Sequence, residues 1–151
     1  MKVAIGSDHR GYRLKEEIKE YLNEIKVEFE DFGTFSEESY DYPDVSFKLA
    51  ESVSRGIYEF GILICSTGQG TNISANKVKN IRSALCPNPT FARLAREHNN
   101  ANIITLPADF INIEDAKTSI LIFLSAKFLG GRHERRVNKI KLYEGGKYEN
   151  L

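Results

Sequence analysis

Short apolar runs rich in valine and isoleucine alternate along this chain with segments of helical periodicity. This alternation is typical of repeated β–α–β units, in which parallel strands form a sheet and helices cover both of its faces. The run FGILIC at 60–65 is apolar on both faces, as an interior strand of a parallel sheet must be. We therefore predict an α/β fold, a Rossmann-like three-layer αβα sandwich with a five-stranded parallel sheet. The predicted strands span residues 3–6, 27–32, 60–65, 81–86 and 102–106.

Apolar residues at spacings of three and four predict helices between these strands. Such stripes occupy residues 14–25 and 45–53. A third helix is predicted to begin after Asn88, and a long one is predicted over 113–128. A last helix is predicted from about residue 132.

Composition limits both the number of domains and the class of partner. The chain has 151 residues, 41% of them hydrophobic, so we expect one domain over residues 1–151. Lys plus Arg and Asp plus Glu both total 21, which argues against a strongly basic face for nucleic acid.

Two cysteines, Cys65 and Cys86, are too few for a secreted disulfide scaffold and favour a cytoplasmic setting. The longest apolar run, at 120–124, has five residues, so we expect neither a signal peptide nor a membrane span.

The glycine-rich turn CSTGQGT at 65–71 is the strongest local signal, and it follows the most apolar predicted strand. In an open parallel sheet, ligands bind beyond the carboxyl ends of the strands, which is where this turn lies. Such a turn can direct several backbone N–H groups at one anion, and the same field favours the thiolate of Cys65. Cys65 is then a candidate nucleophile or general base. The pattern equally allows Cys65 to be a small buried side chain, with the glycines only permitting the turn.

Two nucleotide-binding motifs are excluded because residues that they require are absent. Gly6 and Gly11 have the spacing of a P-loop, but Tyr12 and Arg13 replace the Lys and Ser/Thr that must follow. The glycine-rich turn begins like a dinucleotide fingerprint, but Ile73 occupies its third glycine position. We therefore expect neither a nucleoside triphosphate nor NAD as a cofactor.

The three histidines, His9, His98 and His133, each lie beside other polar residues. They are candidate site residues, although structural histidines are common at loop and helix ends. No close pair such as H-x-x-x-H or C-x-x-C accompanies them, so we expect no metal site. Arg132 and Arg136 share one helix face if a helix begins here, and two guanidiniums four residues apart can hold a phosphate. The alternative is a solvated basic helix end.

Eight motifs occur in the order and at the spacing found in one enzyme family. They are GSDHRGYRLK at 6–15, DFGT at 31–34, DYPD at 41–44, ILICSTGQG at 62–70, ANK at 75–77, IRSAL at 81–85, REHNNAN at 96–102 and GGRHERR at 130–136. Through these motifs the sequence resembles ribose-5-phosphate isomerase type B, a group that includes galactose-6-phosphate and allose-6-phosphate isomerases. The resemblance covers nearly the whole chain.

The resemblance implies an aldose–ketose isomerase that acts on ribose 5-phosphate and ribulose 5-phosphate through a cis-enediolate, without metal or organic cofactor. It implies that Cys65 is the base that moves a proton between C2 and C1, and that Thr67 relays or hydrogen-bonds a hydroxyl proton. It also implies that His98, with Asp8 nearby, opens the furanose ring, because a cyclic sugar has no free carbonyl to enolise.

Substrate binding is implied for a second set of residues. Backbone amides of the turn hold the enediolate oxygens, and other side chains bind the phosphate or orient hydroxyls. The family builds this site at a subunit interface, so we expect a homodimer or a dimer of dimers. The turn residues are Ser66, Gly68, Gly70, Thr71 and Asn72, the phosphate ligands are His9, Arg132 and Arg136, and the hydroxyl ligands are Tyr42 and Asn99.

Three positions depart from the family pattern. Ser66 stands where a glycine is usual, and Asn72 replaces a common serine. Asp109 stands where the family usually has an arginine that reaches toward the phosphate. A carboxylate there weakens phosphate binding unless it points away or pairs with Arg132 or Arg136. The preferred sugar therefore stays open between ribose 5-phosphate and a six-carbon phosphate such as allose 6-phosphate or galactose 6-phosphate. A non-catalytic sugar-phosphate sensor is the remaining alternative.

Overall fold

In the computed structural model, which describes residues 1–149, strands and helices alternate along the chain. The strands are β1 (Lys2–Ser7), β2 (Glu28–Asp31), β3 (Phe60–Cys65), β4 (Ser83–Leu85) and β5 (Ile103–Pro107). The helices are α1 (Tyr12–Glu24), α2 (Tyr42–Ser54), α3 (Gln69–Ala75), α4 (Pro89–Asn99), α5 (Ile113–Ser125) and α6 (Arg132–Glu144).

The strands form one parallel sheet in the order β2-β1-β3-β5-β4. The central strand β3 is buried along its whole length, as its two-sided apolar sequence predicts. Its first residue, Phe60, lies opposite Val3 of β1, and its last, Cys65, lies opposite Pro107 of β5. The predicted α/β fold with a five-stranded parallel sheet is confirmed.

Helices pack on both faces of the sheet, and each face has its own apolar core. On one face α1, α4 and α5 pack against Ile5, Ile62 and Ile104. On the other, α2 and α3 pack against Ala4 and Leu63. Neighbouring strand residues therefore enter opposite cores, as the two-residue period of a strand requires.

The helices that follow β1 and β3 lie on opposite faces of the sheet, because α1 belongs to one core and α3 to the other. Since β1 and β3 are neighbours, the chain leaves their carboxyl ends in opposite directions and a crevice opens between them. This is the position at which open α/β sheets bind ligands.

Several predicted elements extend beyond the observed ones, and the largest differences are at β4 and α5. The strand predicted over 81–86 spans only Ser83–Leu85, because Arg82 N–H donates to the Asn102 side chain at 2.9 Å instead of to a neighbouring strand. The helix predicted over 113–128 ends at Ser125, whose hydroxyl turns back to donate to the Leu121 carbonyl at 2.7 Å. Within residues 1–149, no helix combines the length and apolarity needed to cross a membrane.

Candidate active site

The carboxyl ends of three neighbouring strands meet around Cys65, the last residue of β3. Asp8 N–H donates to the Ile64 carbonyl at 3.2 Å, which joins the end of β1 to β3. Ala108 N–H donates to the Cys65 carbonyl at 2.9 Å, and Asp109 N–H donates to the Ser66 carbonyl at 3.0 Å. The start of the glycine-rich turn is thereby fixed from both sides. We call this group, with His9, Tyr42 and the turn residues 65–72, the thiol cluster.

The turn after Cys65 depends on two glycines. Gly68 has φ of 72°, and a Cβ atom there would lie 2.4 Å from Leu85 Cδ1. At Gly70 a Cβ atom would lie 2.5 Å from the ring of Tyr42, so this ring packs directly on the turn. The chain then enters α3, whose first residues leave their N–H groups without helical partners. Those amides can hydrogen-bond an anion in the crevice.

The Cys65 thiol is buried, with 4% of the residue exposed, and it contacts the Thr71 hydroxyl. Sγ lies 3.4 Å from Thr71 Oγ1, which also donates to the Gly68 carbonyl at 3.2 Å. Thr67, the hydroxyl predicted to act in proton relay, is exposed and accepts a hydrogen bond from Gln69 N–H at 3.2 Å. The side chain in contact with the sulfur is therefore Thr71.

Asp8 and His9 shape the neighbouring loop. Asp8 Oδ1 accepts from the N–H groups of Arg10 and Gly11, both at 3.0 Å. Burial raises the pKa of Asp8, although those two amides and the charge of His9 act in the opposite direction. His9 Nδ1 lies 3.1 Å from Tyr40 N and 3.3 Å from the Tyr40 carbonyl oxygen, so the backbone of Tyr40 holds the ring in place. Both residues directly follow the carboxyl end of β1.

Asp109 pairs with Arg10 and Ser66, not with Arg132 or Arg136. Its carboxylate accepts from the Ser66 hydroxyl at 2.5 Å and from the Arg10 guanidinium at 2.9 Å. The Ser66 hydrogen bond, and after it the bond from Arg10, holds the pKa of Asp109 below its usual value. The negative charge at this unusual position is therefore balanced within the same chain. Sequence reasoning missed Arg10, although it directly follows His9.

The remaining predicted residues form a second group on α4 and α6, which we call the histidine cluster. The rings of His98 and His133 stack, with centroids 4.1 Å apart and planes within 9°. Burial lowers the pKa of His133, and the charges of His98, Arg132 and Arg136 lower it further. Asn99 and the two arginines are exposed. The cluster presents these three side chains at the surface, with His98 half-buried and His133 buried beneath it.

Within one chain, the thiol cluster lies at the carboxyl ends of the strands and the histidine cluster lies towards their amino ends. Helix α4, which ends with His98 and Asn99, runs back to the amino end of β5 at Ile103. Cys65 is level with Pro107, four residues further along the same strand. At about 3.3 Å per strand residue, these two ends are about 13 Å apart along the strand direction. One chain therefore does not bring His98, Arg132 and Arg136 to Cys65.

Comparison with known proteins identifies the family. The profile of the Ribose/Galactose Isomerase family matches residues 3–140. The chain belongs to this family.

This ribose/galactose isomerase is similar over almost its whole length to proteins of known name and structure. It is 42% identical over 143 residues to ribose-5-phosphate isomerase B of Escherichia coli, which covers 95% of this chain and 96% of that protein. The structure of ribose-5-phosphate isomerase B from Clostridium thermocellum matches with a TM-score of 0.94 and 48% identity, covering 97% of this chain and 99% of that one. The Mycoplasma genitalium enzyme with bound ribulose-5-phosphate matches with a TM-score of 0.91 and 40% identity, covering 95% and 96% of the two chains.

In this ribose/galactose isomerase, two arginines fix the turn that follows His98 and Asn99. Arg96 lies with its guanidinium 4.7 Å from the centre of the Phe60 ring and donates to the Ala101 carbonyl at 2.6 Å. Arg82 donates to the carbonyls of Asn99 and Asn100, both at 2.9 Å. Arg82 lies in the motif IRSAL and Arg96 in the motif REHNNAN. Both side chains donate to backbone carbonyl oxygens, and no sequence pattern predicts such contacts.

Residues 1–149 contain no group of three or more His, Cys, Asp or Glu side chains arranged to hold a metal ion. Both cysteines are free and buried. Burial raises the pKa of Cys86 to about 12, which makes it unreactive at neutral pH. Cys65 is therefore the thiol to test for chemistry in this family member.

Proposed function

We propose that this chain is an aldose–ketose isomerase that interconverts ribose 5-phosphate and ribulose 5-phosphate. The observation that carries the proposal is the Cys65 thiol, which ends the central strand at the mouth of the crevice and begins an amide-rich turn. Family membership and the similarity to a Mycoplasma genitalium relative that holds ribulose-5-phosphate support it. The two free thiols are consistent with work in a reducing cytoplasm.

In this reaction the Cys65 thiolate takes the C2 proton of the open-chain aldose. The C2–H electron pair forms the C1–C2 double bond, and the carbonyl π pair moves to O1, giving a cis-enediolate. The O2 proton then passes to O1 as the C2 carbonyl forms, and the new S–H returns its proton to C1. Backbone amides of the turn between Ser66 and Asn72, other than those of Gln69 and Asn72, which donate within the turn, stabilise the oxygen on which negative charge develops. No metal or organic cofactor takes part in this sequence.

Ring opening and phosphate binding fall to the histidine cluster of a second subunit. His98 removes the anomeric hydroxyl proton, Asn99 orients a sugar hydroxyl, and Arg132 and Arg136 bind the phosphate dianion. The opposite placement of the two clusters supports a homodimer in which each chain completes its partner's site. Asp8 holds the loop that carries the phosphate ligand His9, and Tyr42 orients a hydroxyl from its place on Gly70.

The test is proton NMR of ribose 5-phosphate with the purified protein in D₂O that contains a chelator. We expect ribulose 5-phosphate to appear with deuterium at the exchanged carbon, at a rate that the chelator does not change. Cys65→Ala should stop conversion, whereas the matched variant Cys86→Ala should convert at the wild-type rate. An unchanged spectrum with the wild-type protein would rule out this substrate.

A six-carbon sugar phosphate is the second candidate, and Asp109 is the observation that favours it. Its carboxylate lies beside Ser66 at the rim of the crevice, where it can accept hydrogen bonds from sugar hydroxyls. Parallel assays with ribose 5-phosphate, allose 6-phosphate and galactose 6-phosphate distinguish the two. The substrate with the highest kcat/KM identifies the sugar. Ligand-induced stabilisation without turnover of any of the three would indicate a sensor.

A further inference from the structure

The side chain of Thr71 lies against the sulfur of Cys65, and both residues are buried. Thr71 is 0% exposed and Cys65 is 4% exposed. Thr71 Oγ1 is 3.4 Å from Sγ, within hydrogen-bond distance for sulfur. Two polar groups in a dry contact interact more strongly than the same pair in water.

A second acceptor gives the Thr71 hydroxyl a choice of partner. Oγ1 is 3.2 Å from the Gly68 carbonyl, to which the hydroxyl donates. The same carbonyl also accepts from Asn72 N–H at 3.1 Å. It therefore keeps one hydrogen bond when the Thr71 hydroxyl turns away. Because a hydroxyl has one donor and two acceptor lone pairs, Thr71 can serve the sulfur in either role.

We propose that Thr71 is a positioning residue whose hydroxyl rotates between Gly68 and Cys65 as the sulfur changes protonation state. The proposal rests on the proposed function only in taking Cys65 as the base. When the sulfur is a thiolate, the hydroxyl donates to it. When the sulfur is a thiol, the hydroxyl donates to the Gly68 carbonyl and its lone pair faces the S–H.

Only hydrogen bonds change at Thr71 during this cycle. The thiolate takes the C2 proton, the S–H bond forms, and the threonine proton turns from sulfur to the Gly68 carbonyl. When the thiol gives its proton to C1, the threonine proton turns back to the sulfur. The O–H bond of Thr71 is never broken. The rotation supplies a donor to the sulfur in the one state that carries negative charge.

Thr67 does not offer this contact, although it stands between Cys65 and Thr71 in the sequence. It is exposed, and its hydroxyl oxygen accepts from Gln69 N–H within the turn. The role therefore belongs to the buried hydroxyl and distinguishes two threonines that are four residues apart.

The experiment compares alkylation of Cys65 by iodoacetamide in four proteins, with the modified cysteine identified by mass spectrometry. They are the wild type, Thr71→Val, Thr71→Ser and the control Thr105→Val. Thr105 is also 0% exposed, but its hydroxyl donates to the Ala84 carbonyl and not to sulfur. Cys86, whose pKa burial raises to about 12, stays unmodified at pH 7.

We expect Thr71→Val to alkylate about ten- to a hundredfold more slowly than wild type at pH 7, because a hydrogen bond to a charged sulfur is lost. Thr71→Ser and Thr105→Val should react within about twofold of wild type, since neither loses a donor to sulfur. The deficit of Thr71→Val should close at alkaline pH, where the thiol ionises in every variant. In the isomerase assay, Thr71→Val should lower kcat and leave KM unchanged.

Equal alkylation of Thr71→Val and wild type at pH 7 would overturn the proposal. A deficit of Thr71→Val that persists unchanged at alkaline pH would also overturn it, because it would report access to the sulfur and not its charge. Alkylation uses no sugar phosphate, so its outcome is independent of the substrate. If the wild type fails to isomerise ribose 5-phosphate while the alkylation pattern holds, the proposed function fails and the role of Thr71 stands.

Discussion

The proposed base is the sulfur atom of Cys65, so removing this atom is the sharpest test of a single residue. We predict that Cys65→Ala lowers kcat at least 10²- to 10⁴-fold, the range typical of a lost general base. The free energy of unfolding should fall by only about 1 kcal/mol, because one small buried group is removed. Urea denaturation and the isomerase assay measure the two effects separately.

The buried Cys86 is the matched control for that prediction. It is fully buried, and burial raises its pKa to about 12, so it supplies no thiolate at neutral pH. Cys86→Ala should therefore lose a similar amount of stability and keep the wild-type kcat. Loss of activity in both variants to the same extent would show that activity follows packing and not the thiol of Cys65.

Asp109 is the second residue whose charge has a measurable consequence. Its lowered pKa keeps it ionised throughout the neutral range, at the rim where a dianionic substrate approaches. We predict that Asp109→Asn lowers KM for sugar phosphates several-fold with kcat unchanged. The negative charge is removed, while one side-chain oxygen remains to accept from Ser66 and Arg10. Asp109→Glu keeps the charge and should keep the wild-type KM. A higher KM for Asp109→Asn would show that the carboxylate contributes to binding.

At the scale of elements, a buried ion pair joins α1 to the end of β2 and to the loop that leads toward Tyr42. Lys15 is 0% exposed, and its ammonium donates to Asp31 at 2.6 Å. Asp31 also accepts from Lys19 and, at 2.8 Å, from Gly33 N–H. Ser7 and the 33–34 segment exchange hydrogen bonds at 2.6 and 2.7 Å, so this pair positions the loop against the carboxyl end of β1.

We predict that Asp31→Asn lowers the free energy of unfolding by about 3 kcal/mol, because buried Lys15 loses its closest counter-charge and keeps only Glu16, at 3.7 Å. The double variant Lys15→Met/Asp31→Asn should recover part of that loss, since no uncompensated charge stays buried. Urea denaturation measures both. A loss in the double variant equal to the sum of the single losses would contradict a pairwise interaction.

The same pair has a pH signature. Burial alone would raise the pKa of Asp31, but hydrogen bonds from Lys15, Lys19 and Gly33 N–H outweigh it and lower the pKa below the ordinary 3.8. The stabilisation is therefore complete above about pH 4 and is lost as the pH falls through the lowered folded-state value. Asp31→Asn should remove that part of the acid dependence of stability, measured by urea denaturation between neutral and acid pH. An unchanged acid dependence in this variant would contradict the linkage.

Elements were predictable where local pattern and tertiary environment agree. The central strand at 60–65 matches β3 at both ends, because a strand buried on two faces must be apolar throughout. The edge strand β4 is shorter than predicted because Arg82 and Ser83 N–H donate to the side-chain oxygens of Asn102 and Asn76 instead of to a neighbouring strand. Helix α5 ends early because Ala126 adopts extended backbone angles, which hydrophobic periodicity does not report.

At the scale of the whole molecule, the motifs predict which residues carry the site but not how one chain arranges them. The contact of Arg10 with Asp109 joins positions 99 residues apart, and no local pattern signals it. Likewise, sequence order does not show that His98 and Cys65 lie at opposite ends of the strands. That separation follows from α4 running back to the start of β5, and it makes the second subunit necessary to the proposed mechanism.

Subunit complementation between Cys65→Ala and His98→Ala is the sharpest test of an active site that two subunits share. Each variant alone should be inactive. After the two are unfolded together and refolded, a mixed dimer has one site with both residues intact and one with neither, so random pairing should restore about a quarter of wild-type activity. Recovery of activity only in the mixture, in step with the fraction of mixed dimers measured by native mass spectrometry, is the predicted result. A mixture that stays inactive although mixed dimers form would contradict a site shared between subunits.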